Sequence, residues 1–500
     1  MFLVGYPGGM SKRFRACDLN QPFLLPPSLQ DWLPEGHLAR FVGEIVDGLD
    51  LSPIYVTYQR KDGRGLAAYH PLLMLRLLLY GYCVGVASSR QIERRTHEDV
   101  AFRYLAADQH PDHDTIASFR QTHLSDLAGL FLQALRLCEK AGLVKLGHVA
   151  IDGTKLQANA SKHKAMSYER MTEKEQALKA EVEKLLAEAA RVDAAEDAKY
   201  GPGKRGDELP AELARRESRL RKIAEAKAAL EQEARERAVA AKAAAEAKLA
   251  EREKQEQARG KKFGGRPPQV PDPEQAQPQP KAQRNFSDPD SRIMKDGATK
   301  SFVQGFNAQA AVDETAQVIV ACAITQEAND KQQLAPMLER VEQNLGRKPE
   351  KATADSGYFS EAAVTGPKLA GVELLVAPDR EKHSEDGVQE TGAAVARAAA
   401  PAAEREAAAG TAAAGTEPTK PSVTEAMRQK LSSAEGKAVY KMRKAVVEPV
   451  FGQIKERRGF RRFSFRGLKK VEAEWQIICL THNLLKLFRA GVCPQALRTA

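Results

Sequence analysis

The chain has 500 residues, 43% of them hydrophobic and 28% charged, with a formal net charge of +10. That length suggests about three domains, and the composition is that of a globular protein rather than a disordered or fibrous one. Six scattered cysteines (Cys17, Cys83, Cys138, Cys322, Cys479 and Cys493) form no Cys-x2-Cys pair. This excludes a zinc knuckle and a disulfide framework, and it fits a reducing cytoplasm. The apolar part of MFLVGYPGGMSKRF is too short for a secretion signal. The most apolar run, 71–86, contains Arg76 and falls short of a bilayer span. No membrane partner is expected.

Residues 1–35 read as irregular and Pro-rich. Apolar residues at 38, 41, 42, 45, 46 and 49 predict an amphipathic helix, and 72–84 predicts a buried one. Ser88 or Ser89 can cap a third helix carrying Arg90, Arg94 and Arg95; Asp114 can cap a fourth, and 128–140 continues in helical register. Short helices with arginine-bearing turns suit a DNA-binding bundle of helix-turn-helix type, although many small bundles that read no DNA share the pattern. At Gly147 the pattern changes. HVAIDGTKLQANAS is a β-rich run whose strand ends at Asp152, and its Asp-Gly also fits a hairpin turn.

From about 167 to 259 the composition turns to Ala, Glu, Lys and Arg. Leu178, Val182, Leu185, Ala189 and Val192 alternate four and three apart, a heptad seam. It breaks at 201–210 and resumes more weakly through Leu213, Leu220, Ile223 and Leu230, which predicts an antiparallel helical hairpin. Residues 260–285 are rich in Pro and Gln and read as a disordered linker. Strands return in SFVQGFNAQAAVD and QVIVACAIT, joined by a turn at 314–316. Asp330 is placed to cap the helix KQQLAPMLERVEQNL. ATADSGYFS predicts a short strand ending at Asp355, and VELLVAP another. Asp313 and Asp379 read as turn residues. Residues 380–435 hold few large apolar side chains and form a second, low-complexity insertion. WQIICLTHNLLKLF is an apolar helix that should pack on the sheet, with His482 a core residue.

The stretch before that helix carries the strongest signal. Residues 441–470 hold eleven Lys or Arg against two carboxylates, Glu448 and Glu456. Such density is the footprint of a polyanion, because neutralising phosphates releases counterions. A carboxylate amid it would repel a phosphate unless a divalent cation lay between them. Val447, Val450, Phe451 and Ile454 follow the spacing of a buried helix face, while Lys441, Lys444, Glu448 and Lys455 share a different stripe. Pro449 places a kink or a new helix start there. The plainer alternative is a solvated helix on which Glu448 pairs with Lys444 or Lys455. Phe460, Phe463 and Phe465, interleaved with arginines, would either stack on bases or belong to the core. Two strand-end aspartates, Asp152 and Asp355, and the helical Glu448 could converge at the carboxyl ends of an open sheet. Three carboxylates there would suit two ions serving phosphoryl transfer.

IDGTKLQANAS, GFNAQAAVD, ADSGYFS and YKMRKAVVEPVFGQIKERRGFRRF resemble the transposases of bacterial insertion sequences, the DDE superfamily. The signature Tyr-x2-Arg-x3-Glu-x6-Lys falls on Tyr440, Glu448 and Lys455. Arg443 keeps the gap to Tyr440 but stands one residue too far from Glu448, whereas Lys444 keeps the spacing to Glu448. The resemblance implies an α/β protein with a ribonuclease H-like core, a mixed sheet flanked by helices. Its parts would be 146–166, 286–379 and 436–490, the last with the catalytic Glu helix. An all-α DNA-binding domain would fill 1–145, reading terminal inverted repeats, and a coiled-coil insertion 167–259. Asp152, Asp355 and Glu448 would be the catalytic triad, holding Mg²⁺ or Mn²⁺, two ions in all. Tyr440, Arg443, Lys444, Lys455, Arg457, Arg458, Arg461 and Arg462 would grip DNA. A homodimer on DNA in the bacterial cytoplasm, associated with the nucleoid and without a small-molecule substrate, completes the expectation.

Overall fold

The computed structural model of the chain describes residues 28–59, 68–200, 211–296, 301–379 and 422–498. The low-complexity stretch at 380–421 and the hairpin break at 201–210 lie outside them. Seven helices come first: α1 (Leu38–Asp47), α2 (Ser52–Gln59), α3 (Pro71–Cys83), α4 (Ser89–Glu98), α5 (Val100–Leu105), α6 (His113–Thr122) and α7 (Leu124–Lys140). Local chemistry starts them. Pro71 opens α3 at a position needing no N–H, and His37 Nδ1 caps α1 by accepting from Ala39 N at 3.1 Å. The cap of α6 is Asp112, not Asp114. Its Oδ1 accepts from Thr115 N at 2.8 Å, and Thr115 Oγ1 donates back to its Oδ2 at 2.7 Å. That double bond fixes the start two residues earlier.

The sheet is built from β1 (His148–Gln157), β4 (Arg292–Lys295), β5 (Phe302–Asp313), β6 (Val318–Thr325), β7 (Lys351–Ala354) and β8 (Glu373–Val376). A separate pair, β2 (Ala165–Ser167) and β3 (Gln283–Asn285), lies between β1 and β4 in the chain. The order is β4-β5-β1-β7-β8, with β6 also paired to β5. β1, β7 and β8 are parallel, and β5 runs antiparallel to β1, β4 and β6. β1 does not stop at Asp152. It continues to Gln157 because β5 pairs with it all the way from Val149↔Asp313 to Gln157↔Gly305. Asp313 is also more than a turn residue. Fully buried, it accepts from Leu146 N at 2.7 Å and Thr315 N at 2.9 Å, fastening the entry to β1.

The remaining helices are α8 (Tyr168–Tyr200), α9 (Ala211–Arg259), α10 (Leu334–Leu345), α11 (Glu361–Val364), α12 (Val423–Ser432), α13 (Ala434–Gly452), α14 (Leu468–Arg489) and α15 (Pro494–Arg498). α14 is packed between β6 and the N-terminal helices α3 and α7. Asn483 on it satisfies both backbone groups of Ile319 in β6, at 2.9 Å each, and Trp475 Nε1 donates to Gln309 O at 3.0 Å. On its other side the Cys138 thiol meets Asn483 O, and the Cys83 thiol meets Thr481 O. The N-terminal helices therefore share one hydrophobic core with the sheet, rather than forming a detached module ending at 145. His482 is buried with Nε2 on Gln317 O at 3.0 Å, and burial holds its imidazole well below the usual range, so the ring is neutral.

Two further expectations need correction. Pro449 opens no new helix: α13 runs through it to Gly452, and a π-helical turn follows at Gln453–Arg457. The carbonyl that Pro449 cannot serve, Ala445 O, accepts from Gln317 Nε2 at 2.9 Å. Residues 260–285, read as disordered linker, return along α9 and end in β3, and Arg252 Nη2 donates to Phe263 O and Gly265 O at 2.9 Å each. α8 and α9 pack through Met171, Leu178, Ile223, Ala226 and Leu230, a cluster separate from the main core. Glu233 ties α9 to the strands by accepting from Arg284 at 2.6 Å and Arg292 at 3.0 Å. No helix among the described residues is long and apolar enough to cross a membrane.

Trp475, fully buried and hydrogen-bonded to the sheet, is the largest side chain joining α14 to β5. Trp475→Ala is expected to cost about 3–5 kcal/mol, measured by urea unfolding. A loss below about 1 kcal/mol would deny it that place in the core.

Candidate active site

The site forms where two parallel strands end together. β1 and β7 are in register from His148↔Lys351 to Ile151↔Ala354, so the next residue on each is an aspartate, Asp152 and Asp355. Neighbouring strands lie about 4.8 Å apart, and like charges that close oppose each other's ionisation. β7 stops at Ala354 because Asp355 caps the turn after it, Oδ1 accepting from Gly357 N at 2.9 Å. Asp152 Oδ1 accepts from Gly153 N at 2.8 Å. Burial first, and then the Asp355 charge, push the Asp152 carboxyl up to about 7, with Gly153 N–H and Arg443 pulling the other way. Burial also raises Asp355, against the pull of Arg443.

Helix α13 lies across this pair. Arg443 is 7% exposed, its Nη1 is 3.6 Å from Asp152 Oδ2, and its guanidinium carbon is 5.6 Å from the centre of the Tyr440 ring. Further on, Lys455 Nζ donates to Thr154 Oγ1 at 3.0 Å and to Lys155 O at 3.4 Å. Asp152 and Thr154 occupy one face of β1. The helix and its π-helical extension thus touch that face at two points, and Glu448 lies between them in the chain, exposed. Glu448 does not join the aspartates in a ready-made cage. Among the described residues no three His, Cys, Asp or Glu are gathered closely enough to hold a metal ion. The pair itself offers hard oxygens, and a single buried Arg443 leaves their charge partly unmet, so these residues suit a divalent cation.

The basic residues divide into two groups. Lys444 is exposed and, with Tyr440, Lys437, Lys441 and Arg428, lines a cleft of about 560 Å³ beside Asp379. Arg457 is exposed; Arg461 is exposed and pairs with Glu456; Arg462 reaches Asn159 Oδ1 and Ala158 O at 3.3 Å each. Arg443 and Arg458 turn inward. Arg458 donates to Thr481 Oγ1 at 2.8 Å and Ile478 O at 3.1 Å, and burial pulls its guanidinium down to about 10. A buried guanidinium so engaged cannot grip a phosphate from where it stands. Phe460, Phe463 and Phe465 are core residues, packed with Tyr82, Phe306 and Arg120. They stack on no base.

Asp330 is not a helix cap. α10 begins at Leu334 behind Gln333, and Asp330 Oδ1 instead accepts from Asn307 Nδ2 at 2.6 Å and Gln309 Nε2 at 2.7 Å. Lys155 Nζ lies 3.7 Å from its Oδ2. The sequence did carry a signal for this cluster: Asn307 and Gln309 alternate within 305–312, a run otherwise small or apolar, so they share a face and need buried partners.

Two family models match the chain. The one described as Transposase domain (DUF772) covers residues 27–122, and the one described as Transposase DDE domain covers residues 275–484. Asp355 and Glu448 fall inside the second, and Asp152 lies between the two. No curated protein and no solved structure matches.

The crowding at Asp152 makes stability depend on pH. Its carboxyl titrates near 7 in the folded chain against 3.8 ordinarily, so protonation favours folding. That contribution is complete below pH about 4 and lost as pH rises through 7. In chelator, Asp152→Asn is expected to stabilise the protein at pH 8 by up to roughly 4 kcal/mol and to leave it unchanged at pH 4, read from thermal melting. Equal effects at both pH values would contradict a crowded carboxyl.

Proposed function

The chain belongs to the DDE transposases of bacterial insertion sequences, and on that premise we propose that it binds the terminal inverted repeats of its own element, cleaves at the ends and joins their 3′ hydroxyls to target DNA. The observation that carries the reading is the register that sets Asp152 beside Asp355 under a basic helix. Asp152 and Asp355 would hold Mg²⁺ or Mn²⁺, with Glu448 supplying the third carboxylate from α13. When bound, a pair of such ions lowers the pKa of the attacking water or hydroxyl and stabilises the leaving 3′ oxygen.

The chain's own residues supply the rest. Tyr440, Lys444, Lys455, Arg457, Arg461 and Arg462 line or flank α13 and its extension, where phosphate contacts would fix register without reading sequence. Arg443 sits on Asp152 and neutralises part of the site. Sequence reading falls to the N-terminal helices, where Arg94 and Arg95 pair with Glu98 and Asp99 in this DNA-free chain. Their attachment to α14 couples end recognition to the catalytic sheet. Two ends must be processed together, so two copies of the chain would meet on the DNA, in the bacterial cytoplasm.

The test is a DNA fragment carrying the element's inverted repeats, incubated with the protein and Mg²⁺. Cleaved ends and joined products are expected. Glu448→Gln and Asp355→Asn should each lower cleavage at least about 100-fold while gel-shift affinity for the ends stays within a few-fold of the parent. Normal cutting by Glu448→Gln would remove Glu448 from the triad. Cleavage without any joined product would point to a nuclease of the same fold.

A further inference from the structure

The polar cluster around Asp330 lies beneath the aspartate pair, on the opposite face of β1. Cross-strand pairing sets Gly153 opposite Gln309 and Lys155 opposite Asn307, so these four share the face that Asp152 does not use. Asp330 enters that face from the segment between β6 and α10. Its Oδ1 collects both amides, Asn307 Nδ2 at 2.6 Å and Gln309 Nε2 at 2.7 Å. Asn307 gives its second hydrogen to Glu327 O at 3.1 Å.

This arrangement decides which way Gln309 points. An amide has a donor end and an acceptor end, and a carboxylate that accepts from Nε2 leaves Oε1 directed away. Oε1 then accepts from the Tyr358 hydroxyl. Tyr358 is fully buried and is the last residue of the turn that Asp355 caps. A continuous line therefore runs from Asp330 through Gln309 and Tyr358 to the turn holding Asp355. The same carboxylate sits against the strand beside Asp152. A Cβ on Gly153 would overlap Gln309 Nε2 and fall 2.9 Å from Asp330 Oδ1, so only glycine lets the cluster reach the backbone there. Lys155, 3.7 Å from Asp330 Oδ2, supplies a counter-charge.

We propose that Asp330 is a positioning residue for the Asp152–Asp355 pair, setting the separation of the two carboxylates by holding both the β1 backbone and the Tyr358 turn. This rests on the reading of that pair as the metal-holding carboxylates. Asp330 touches neither substrate nor ion in this role. What matters is an acceptor oxygen facing two amides, and an asparagine can supply that.

Mn²⁺ binding to the full-length protein without DNA, by titration calorimetry well below each variant's melting temperature, separates the roles. Asp330→Ala is expected to weaken binding about tenfold, the size of effect that outer-sphere partners exert on metal affinity, and Asp330→Asn to recover it to within about threefold of the parent. Tyr358→Phe, which removes only the hydroxyl, should weaken binding at least about threefold and carries the test if the alanine variant does not fold. Parent-like affinity in Asp330→Ala, or in Tyr358→Phe, overturns the proposal. So does an Asp330→Asn variant as weak as the alanine, because the charge itself would then be needed. Asp152→Asn is the separate control: if it binds Mn²⁺ like the parent, the metal reading of the pair fails, whatever Asp330 does.

Discussion

Two ionised carboxylates crowd each other in a half-buried corner of a protein unless a positive charge separates them or one takes up a proton, and the architecture around Asp152 and Asp355 answers that constraint. Parallel pairing of β1 with β7 brings Asp152 and Asp355 level. Without an ion, the chain answers with Arg443, sunk into α13 and held 3.6 Å from Asp152. Arg443 pulls on both carboxyls and Lys155 on Asp355, yet burial and the Asp355 charge still push Asp152 up to about 7. On the function proposed above, a divalent cation would supply the charge that the pair lacks.

That corner is kept rigid from both sides. On one face, α13 touches Asp152 through Arg443, and the π-helical turn after it touches Thr154 through Lys455. On the other, the amides of Asn307 and Gln309 converge on Asp330. Behind them α14 joins the sheet to the N-terminal helices, with Trp475, Asn483 and Thr481 bonded to partners on different elements. On the function proposed above, recognition of a DNA end and cleavage beside it would gain from this continuity. The N-terminal helices and the sheet share one hydrophobic core, and displacement of either would disturb common packing.

Much of the plan was legible in the residues, and the failures have a common cause. The hairpin of β5 and β6, the strand ending before Asp355, the long basic helix and the apolar α14 each carry a strong local pattern. Asp152 was recognisable, but its strand looked five residues shorter than it is. Gly153 and Thr154 resemble a turn until β5 pairs along them. Asp330 looked like a cap because Asx residues usually cap when a helix follows; only the distant amides of β5 reveal its partners. Charge density singled out 441–470 as a group, yet could not say that Arg443 and Arg458 point inward or that three phenylalanines fill the core. Those outcomes depend on what the neighbouring α14 and the distant β1 present. The short α2 and α5 went unread because about two turns carry too little apolar repetition to stand out.

The root of the helical hairpin has a consequence of its own. Between the strand bearing Asp152 and the strands that follow, the chain leaves through Ser167 and returns through Gln283, and β2 and β3 clasp those two points in register. Glu233 adds an ionic rivet at the same place. Beyond the clasp, added or deleted turns of α8 and α9 change a loop whose closing entropy grows only with the logarithm of its length. The excursion is thermodynamically insulated from the sheet, so this arm can lengthen, shorten or change its surface over generations while the geometry at its base stays fixed.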